Sequence, residues 1–309
     1  MQKTILGRTG LEVTVAGLGC GGFSRLGIDR GLDHAASIVR KAYDAGVNFF
    51  DTAAIYGTQE AVGKGLNGLP RNSYVLSTKF SYRDSRGTAA PEQIIESLEE
   101  SLRLLKTDYI DIFHIHALSA ADYGWAKDVA LPVMRRAKDQ GKIRFIGVTE
   151  QFVVDTSHAM FKLALPEDLF DVIMVGYNIL NQSAARDVLP LTARNNVGAL
   201  VMFAVRSALH DPEQLKADIA SISEHGQGGA GLTAESLDFI IKSGAASSLP
   251  EAAYRFCRHT PGVAVTLTGT GDPEHLTENL RALNMPPLPD DVLKRLAELF
   301  NGVDCVSGQ

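Results

Sequence analysis

No run of about 18 consecutive apolar residues occurs in this sequence, which excludes an ordinary membrane-spanning helix. The opening residues, MQKTILGRTG, contain no apolar signal-peptide core, so no signal peptide is expected. Cysteine is scarce: among 309 residues only Cys20, Cys257 and Cys305 occur, with no CxxC spacing. An odd, scattered set argues against a disulfide framework and against a structural zinc site, and fits a reducing cytoplasm. A basic block is also missing. The 30 Lys and Arg stand against 36 Asp and Glu, for a formal net charge of −6. Neither nucleic acid nor a membrane is therefore an expected partner.

What is present is an alternation. Residues 3–17, KTILGRTGLEVTVAG, read as two short strands around GRTG, a hairpin. Eight short apolar runs are strand candidates: AGLGCGG (16–22), VNFFD (47–51), YVLSTKF (74–80), IDIFHIH (110–116), IRFIGV (143–148), VIMVGY (172–177), GALVMF (198–203) and VAVTLTG (263–269). Longer amphipathic stretches separate them. DHAASIVRKAYDAG has Asp33 as its cap and stops at Gly46. TAAPEQIIESLEESLRLLKT has Thr88 as candidate cap and Pro91 near its start, with Ile94, Ile95, Leu98, Leu102 and Leu105 along one face.

Strands that are continuous apolar runs, each followed by a helix, imply a parallel sheet covered on both faces. Eight such units in a chain of this length point to an α/β fold of the closed (β/α)8 type, a TIM barrel, with the N-terminal hairpin capping its bottom. No linker divides residues 1–309, which read as one domain. The long polar interval 210–249 lies between the seventh strand and its helix, on the face where barrel sites form. It is expected to be a lid or pocket wall, or else a variable insertion.

Gly17, Gly19 and Gly22 spell GxGxxG. A Rossmann fingerprint needs a helix beginning at the third glycine, and FSRLGIDRGLD follows instead. The plainer reading is a first strand ending in a glycine-rich loop. Such a loop lets backbone approach a ligand closely, and Gly21, Gly22 and Phe23 are placed at a cofactor on that basis.

Four polar groups fall at the ends of consecutive strands. Asp51 ends the second, Lys79 is near the end of the third, His116 ends the fourth, and Tyr56 follows Asp51 in the loop. In a barrel these ends converge on one mouth. Each residue alone has an ordinary explanation: a turn, a surface ammonium, a core histidine, a packed ring. Four at equivalent positions make a site the better one. A tyrosine, with a pKa near 10, is a reluctant acid, and a nearby cation lowers that pKa. Lys79 is the expected cation and Asp51 its counter-ion. His116 is expected to donate a hydrogen bond to a carbonyl oxygen. The pocket then polarises and protonates a carbonyl, and an external hydride donor completes a reduction. His114 points the same way one layer deeper and is expected to be paired inside the barrel. An HxH pair at a strand end is also a metal-site pattern in barrels, but no further ligands complete a shell, and no metal is expected.

These residues resemble the aldo-keto reductase family nearly end to end. GVNFFDTAAIYG is similar to its signature G-[IV]-x-x-[FI]-D-T-A-x-x-Y-G. STKF resembles the strand bearing its lysine, DYIDIFHIH resembles D-Y-[IV]-D-L-x-x-[IL]-H, GKIRFIGVTE resembles G-K-[IV]-R-x-[IL]-G-V-S-N, and GTGDPEHLTENL resembles the last cofactor motif. The resemblance implies a (β/α)8 barrel using NAD(P)H, with Asp51, Tyr56, Lys79 and His116 as its catalytic tetrad. It further implies cofactor contacts at Gly269, Thr270, Gly271, His275, Glu278 and Asn279, the last two at the adenine.

The departures carry information. Thr149 and Glu150 stand where the family has the Ser-Asn pair that holds the nicotinamide amide. Met174 replaces a usual glutamine. Met202 or Phe203 replaces a stacking tyrosine, and Arg206 falls where it would reach a pyrophosphate. The basic residue that often grips a 2′-phosphate aligns with Gly271, flanked by Asp272 and Glu274. Carboxylates near that phosphate repel it, whereas Thr270 and His275 are phosphate contacts that remain. The resemblance favours NADP(H) slightly over NAD(H). Phe23, Tyr82 and Trp125 are expected near the mouth, for a neutral, partly apolar substrate. The leading reading is an NAD(P)-dependent oxidoreductase acting on a small-molecule aldehyde, ketone or sugar. An NAD-dependent aldose 1-dehydrogenase is the runner-up, and a slow, nucleotide-sensing regulatory protein is the rival from another class.

Overall fold

The computed structural model describes residues 1–85 and 87–309. The chain starts with an antiparallel hairpin, β1 (Lys3–Ile5) and β2 (Glu12–Thr14), joined through a 3-10 turn at Gly7–Thr9. Then come β3 (Ala16–Gly19), β4 (Phe49–Asp51), β5 (Val75–Ser81), a small hairpin of β6 (Arg83–Asp84) and β7 (Gly87–Thr88), β8 (Ile110–Leu118), β9 (Ile143–Glu150), β10 (Val172–Gly176), β11 (Gly198–Met202) and β12 (Val265–Thr268). The eight long-range strands pair in parallel and close as a barrel in the order β10-β11-β12-β3-β4-β5-β8-β9. All eight predicted apolar runs are barrel strands. Among the described residues no helix is long and apolar enough to cross a membrane.

Two apolar cores explain why the strands are apolar on both faces. The inner one joins Leu6, Leu11 and Val13 of the hairpin to Phe49, Val75, Ile112, Val172, Leu200 and Val265 of the barrel strands. The hairpin is thus the barrel's floor. The outer core takes the alternate residues, such as Phe50, Leu76, Phe80, Phe113 and Ile115, and packs them under the helices. Strand alternation then dictates what stands above the floor. Two residues beyond Phe49, Val75 and Ile112 come Asp51, Ser77 and His114, and two further come Lys79 and His116. The apolar layer gives way to a polar one at the mouth.

Several local expectations change. The first helix, Leu32–Asp44, is preceded by Gly31, and Asp33 sits in its first turn without capping it. In the helix Pro91–Leu105 the residue before the first turn is Ala90, whose N–H donates to the Gln93 side chain at 2.8 Å; Thr88 belongs to β7. Ile94, Leu98, Leu102 and Leu105 are buried there, while Ile95 is exposed, one position round from the buried stripe. The interval 210–249 is substantially helical, at Pro212–Glu224 and Asp238–Lys242. Leu215, Ile219 and Ile222, spaced at helical period, are buried, and the Gly229 N–H donates to the Leu299 carbonyl of the C-terminal helix. Its buried residues make the helix Pro212–Glu224 part of the packed fold.

Candidate active site

The centre of the polar layer is a buried ion pair. Lys79 Nζ donates to Asp51 Oδ2 at 2.6 Å and to the Thr52 carbonyl at 2.7 Å. The two side chains are 0% and 4% exposed. Ser77 Oγ donates to the other carboxylate oxygen at 2.7 Å and lies 3.0 Å from His114 Nε2. Burial works against the Lys79 ammonium, but the adjoining Asp51 and Tyr56 outweigh it and keep its pKa above the ordinary value. Burial likewise raises the Asp51 pKa against the pull of Lys79 and Ser77. His114 is fully buried, as expected of the deeper histidine. It is packed so tightly that a Cβ on Gly147 would lie 2.3 Å from its Nδ1.

Tyr56 stands over this pair. The Lys79 ammonium lies 5.2 Å from its ring centroid. Tyr56 Oη is 3.3 Å from His116 Nε2, with the rings edge to face. The His116 pKa is lowered to about 3, by burial first and by Lys79 second, so the imidazole is neutral at neutral pH. The expected lowering of the Tyr56 pKa is not the net result. Burial raises it, and the opposing pull of Lys79 and Arg206 does not compensate. Desolvation of the phenolate is the largest cause, and the Asp51 carboxylate beside the ammonium adds to it. Tyr56 is therefore a fully protonated phenol at neutral pH. It is also wedged in place: a Cβ on Gly21 would meet its ring at 2.4 Å.

A cavity of about 890 Å3 opens above these residues. Asp51 and Tyr56 line it; Lys79 and His116 do not, and adjoin it through their contacts with Asp51 and Tyr56. Of the expected cofactor contacts, Gly21, Gly22, Phe23, Met174, Met202, Phe203 and Arg206 line it. Gly269, Thr270, His275, Glu278 and Asn279 line it too. Three expectations fall outside. Thr149 is buried and its hydroxyl accepts from the Ala117 N–H at 2.7 Å. Glu150 turns away from the cavity: His158 Nδ1 lies 2.9 Å from Oε2, and the Gly176 N–H donates to Oε1 at 2.8 Å. Gly271 instead packs on the loop at Gly27, and its carbonyl takes a contact of 2.7 Å from His34 Nε2. Of the predicted mouth aromatics only Phe23 lines the cavity. Tyr82 and Trp125 pack on each other, 5.5 Å between centroids.

Arg206 lines the cavity as well. Its guanidinium lies 3.8 Å over the Phe203 ring and 5.6 Å from that of Phe23, and its Nε is buried without a partner. A desolvated, unmatched cation aimed at a cavity is what an anionic ligand would complete. Sequence reasoning missed Ser247, Ser248, Glu251, Tyr254 and Arg281, which line the cavity's outer part. The signal was there in SSLPE, a Ser-x-x-Glu helix start. The Ser248 side chain does accept from the Glu251 N–H, at 3.2 Å. From the interval 210–249 only its ends, His210, Ser247 and Ser248, reach the cavity. Among the described residues no group of three or more His, Cys, Asp or Glu is placed to hold a metal ion.

The residues fit a nicotinamide dinucleotide. The volume is near the top of the range for ligand pockets, larger than a small carbonyl alone requires. Arg206 offers an unmatched charge for a diphosphate, and the mouth presents a protonated phenol. Residues 17–301 match the model of the Aldo/keto reductase family. The chain is 31% identical over 207 residues to L-galactose dehydrogenase of Arabidopsis thaliana, covering 65% of this chain and 64% of that protein. It is 28% identical to D-threo-aldose 1-dehydrogenase of a Pseudomonas species over 90% of this chain and 92% of that one. Its fold superposes on the holo form of the aldo-keto reductase AKR11C1 from Bacillus halodurans with a TM-score of 0.76 and 25% identity, covering 98% and 97% of the two chains. The chain belongs to the aldo/keto reductase family of oxidoreductases.

Proposed function

We propose that the protein is an NAD(P)(H)-dependent oxidoreductase that interconverts an aldehyde, ketone or sugar lactol with its alcohol or lactone partner, with Tyr56 as the acid and base. The observation that carries this is the placement of the Tyr56 hydroxyl: in a large cavity, 3.3 Å from a neutral His116 and above the buried Lys79–Asp51 pair. The dinucleotide supplies or accepts the hydride. The choice between NADP(H), which the resemblance alone favours slightly, and NAD(H) turns on the charges at the cavity's outer end.

In the reductive direction Tyr56 Oη gives its proton to the carbonyl oxygen as charge builds there. His116, neutral, orients that oxygen with a hydrogen bond and does not compete for the proton. Lys79 stabilises the phenolate left behind, and Asp51 and the Thr52 carbonyl hold Lys79 in place. Oxidation runs the same groups backwards, Tyr56 taking the proton. The sugar-oxidising direction draws support from the names of two relatives, a galactose and an aldose 1-dehydrogenase. Three unpaired cysteines support a reducing compartment such as the cytoplasm.

Turnover of Tyr56→Phe with a panel of aldehydes, ketones and free aldoses tests the assignment. A general acid contributes about 10^2–10^4-fold, so kcat should fall by that factor while dinucleotide affinity holds. Unchanged kcat would remove Tyr56 from the mechanism. Tight nucleotide binding by the native protein, with no turnover of any carbonyl or sugar, would favour a sensing role instead.

A further inference from the structure

The cavity runs from Tyr56 outward between the helices Leu249–His259 and Pro273–Asn284. Its outer end carries Glu251, Glu278, His275 and Arg281, and no lysine lines any part of it. Glu251 is the fixed point. It is 6% exposed, and both of its oxygens are engaged. Arg255 Nη1 donates to Oε1 at 3.1 Å, while Ser247 Oγ and Arg281 Nη2 donate to Oε2 at 2.6 and 3.2 Å. Burial would raise its pKa, but these partners outweigh burial and hold the carboxyl below its ordinary range, so it is ionised at neutral pH. Arg255 is buried, and its remaining donors go to the carbonyls of Ala245, Pro286 and Pro287. Arg281, its side chain 62% exposed, reaches Glu251 through Nη2 alone. The carboxylates beside the motif that the sequence offered for this role lie elsewhere: Asp272 caps the helix through the Glu274 and His275 N–H groups, and neither Asp272 nor Glu274 lines the cavity.

We propose that Glu251 makes this site selective for the dinucleotide without a 2′-phosphate, NAD(H) over NADP(H), the reverse of what family resemblance alone favours. The inference rests on reading the cavity as a dinucleotide site with its nicotinamide at Tyr56, which leaves this outer end for the adenosine. A ribose hydroxyl donates to a carboxylate, the arrangement by which an acidic residue holds a ribose in other dinucleotide sites. A 2′-phosphate carries about −1.5 to −2 charges and has no proton to offer. It would meet an ionised, buried carboxylate whose partner Arg255 has its other donors engaged at the carbonyls of Ala245, Pro286 and Pro287.

Separate fluorescence titrations of the full chain with NADH and NADPH test this. The native protein should bind NADH at least tenfold more tightly. Glu251→Gln, which keeps the shape and removes the charge, should shrink that ratio at least tenfold, chiefly by strengthening NADPH. Arg281→Ala should keep the preference for NADH, since no phosphate grip is lost. The proposal is overturned if the native protein binds NADPH as well as NADH or better. It is equally overturned if Glu251→Gln, folded by circular dichroism, leaves the ratio unchanged. Should Glu251→Gln fail to fold, the native ratio and Arg281→Ala decide. Binding of neither nucleotide would sink the dinucleotide reading together with this one, whereas equal binding of both sinks this one alone.

Discussion

Lys79→Met is the substitution that most directly probes the polar layer. Lys79 is completely buried, and its ammonium makes two hydrogen bonds, to Asp51 Oδ2 and to the Thr52 carbonyl. Methionine of similar length leaves the Asp51 carboxylate in the same place with only Ser77 to donate to it. Removing one partner of a buried pair costs about 3–5 kcal/mol, because the charge left behind stays desolvated. The variant's Asp51 then has every reason to be protonated when folded. With a folded-state pKa raised above the unfolded value near 3.9, its deficit grows as pH rises through that raised pKa and shrinks as pH falls. Replacing both partners, Asp51→Asn with Lys79→Met, removes the lone charge and should recover at least about 2 kcal/mol of the loss. Urea unfolding of the native protein, the two single variants and the double variant gives the cycle directly. A Lys79→Met deficit under about 1 kcal/mol, the size of an ordinary exposed substitution, would refute the reasoning. Activity gives an independent reading: with this cation gone, only Arg206 still opposes the burial that raises the Tyr56 pKa, and kcat should fall by about 10^2-fold or more.

Other consequences are open to simpler measurements. His116 has a folded pKa near 3 against 6.5 for the free side chain, so the folded state binds fewer protons between those values. Its contribution to stability is therefore full above pH 6.5 and is lost as pH falls towards 3. His116→Gln should flatten the acid side of a stability-versus-pH curve by up to a few kcal/mol, at about 1.4 kcal/mol per pKa unit; an unchanged curve would place the histidine in water. Gly21→Ala should lower kcat by shifting the Tyr56 ring, with crystallography or a substrate-independent nucleotide titration separating this from misfolding. Gly147→Ala should destabilise the barrel by about 1–3 kcal/mol, because a methyl there meets the buried His114 ring. Glu150→Gln should cost about 1–3 kcal/mol in thermal or urea unfolding, through its disturbed hydrogen bonds to His158 Nδ1 and the Gly176 N–H, and leave nicotinamide binding unchanged. Weakened nicotinamide binding in that variant would return Glu150 to the cofactor site.

The legible part of this molecule was local and periodic. Each barrel strand announced itself as an apolar run because both of its faces are buried, one on the barrel interior and one under helices. Asp51, Lys79 and His116 could be placed together because strand ends in a barrel share one mouth. Glu150 was less legible. Its position in the chain puts it at the mouth, yet its rotamer is chosen by His158, eight residues on, and by the Gly176 amide of the next strand. Asp33 looked like a cap for similar reasons of composition, and Gly31 is where the chain turns into the helix. Glu251 went unread because its meaning depends on Arg281 and on the cavity beside it, neither of which its own segment encodes.

The amino-acid sequence by itself determined the eight barrel strands and their parallel closure, since hydrophobic period and chain order are enough for those. Only the tertiary structure decided the charge states and directions of the side chains. Burial turned an expected acidification of Tyr56 into a net rise in its pKa, and it made His116 neutral. The physical reason is that a pKa and a rotamer are set by desolvation and by partners brought in from distant segments, and both exist only once the chain has packed.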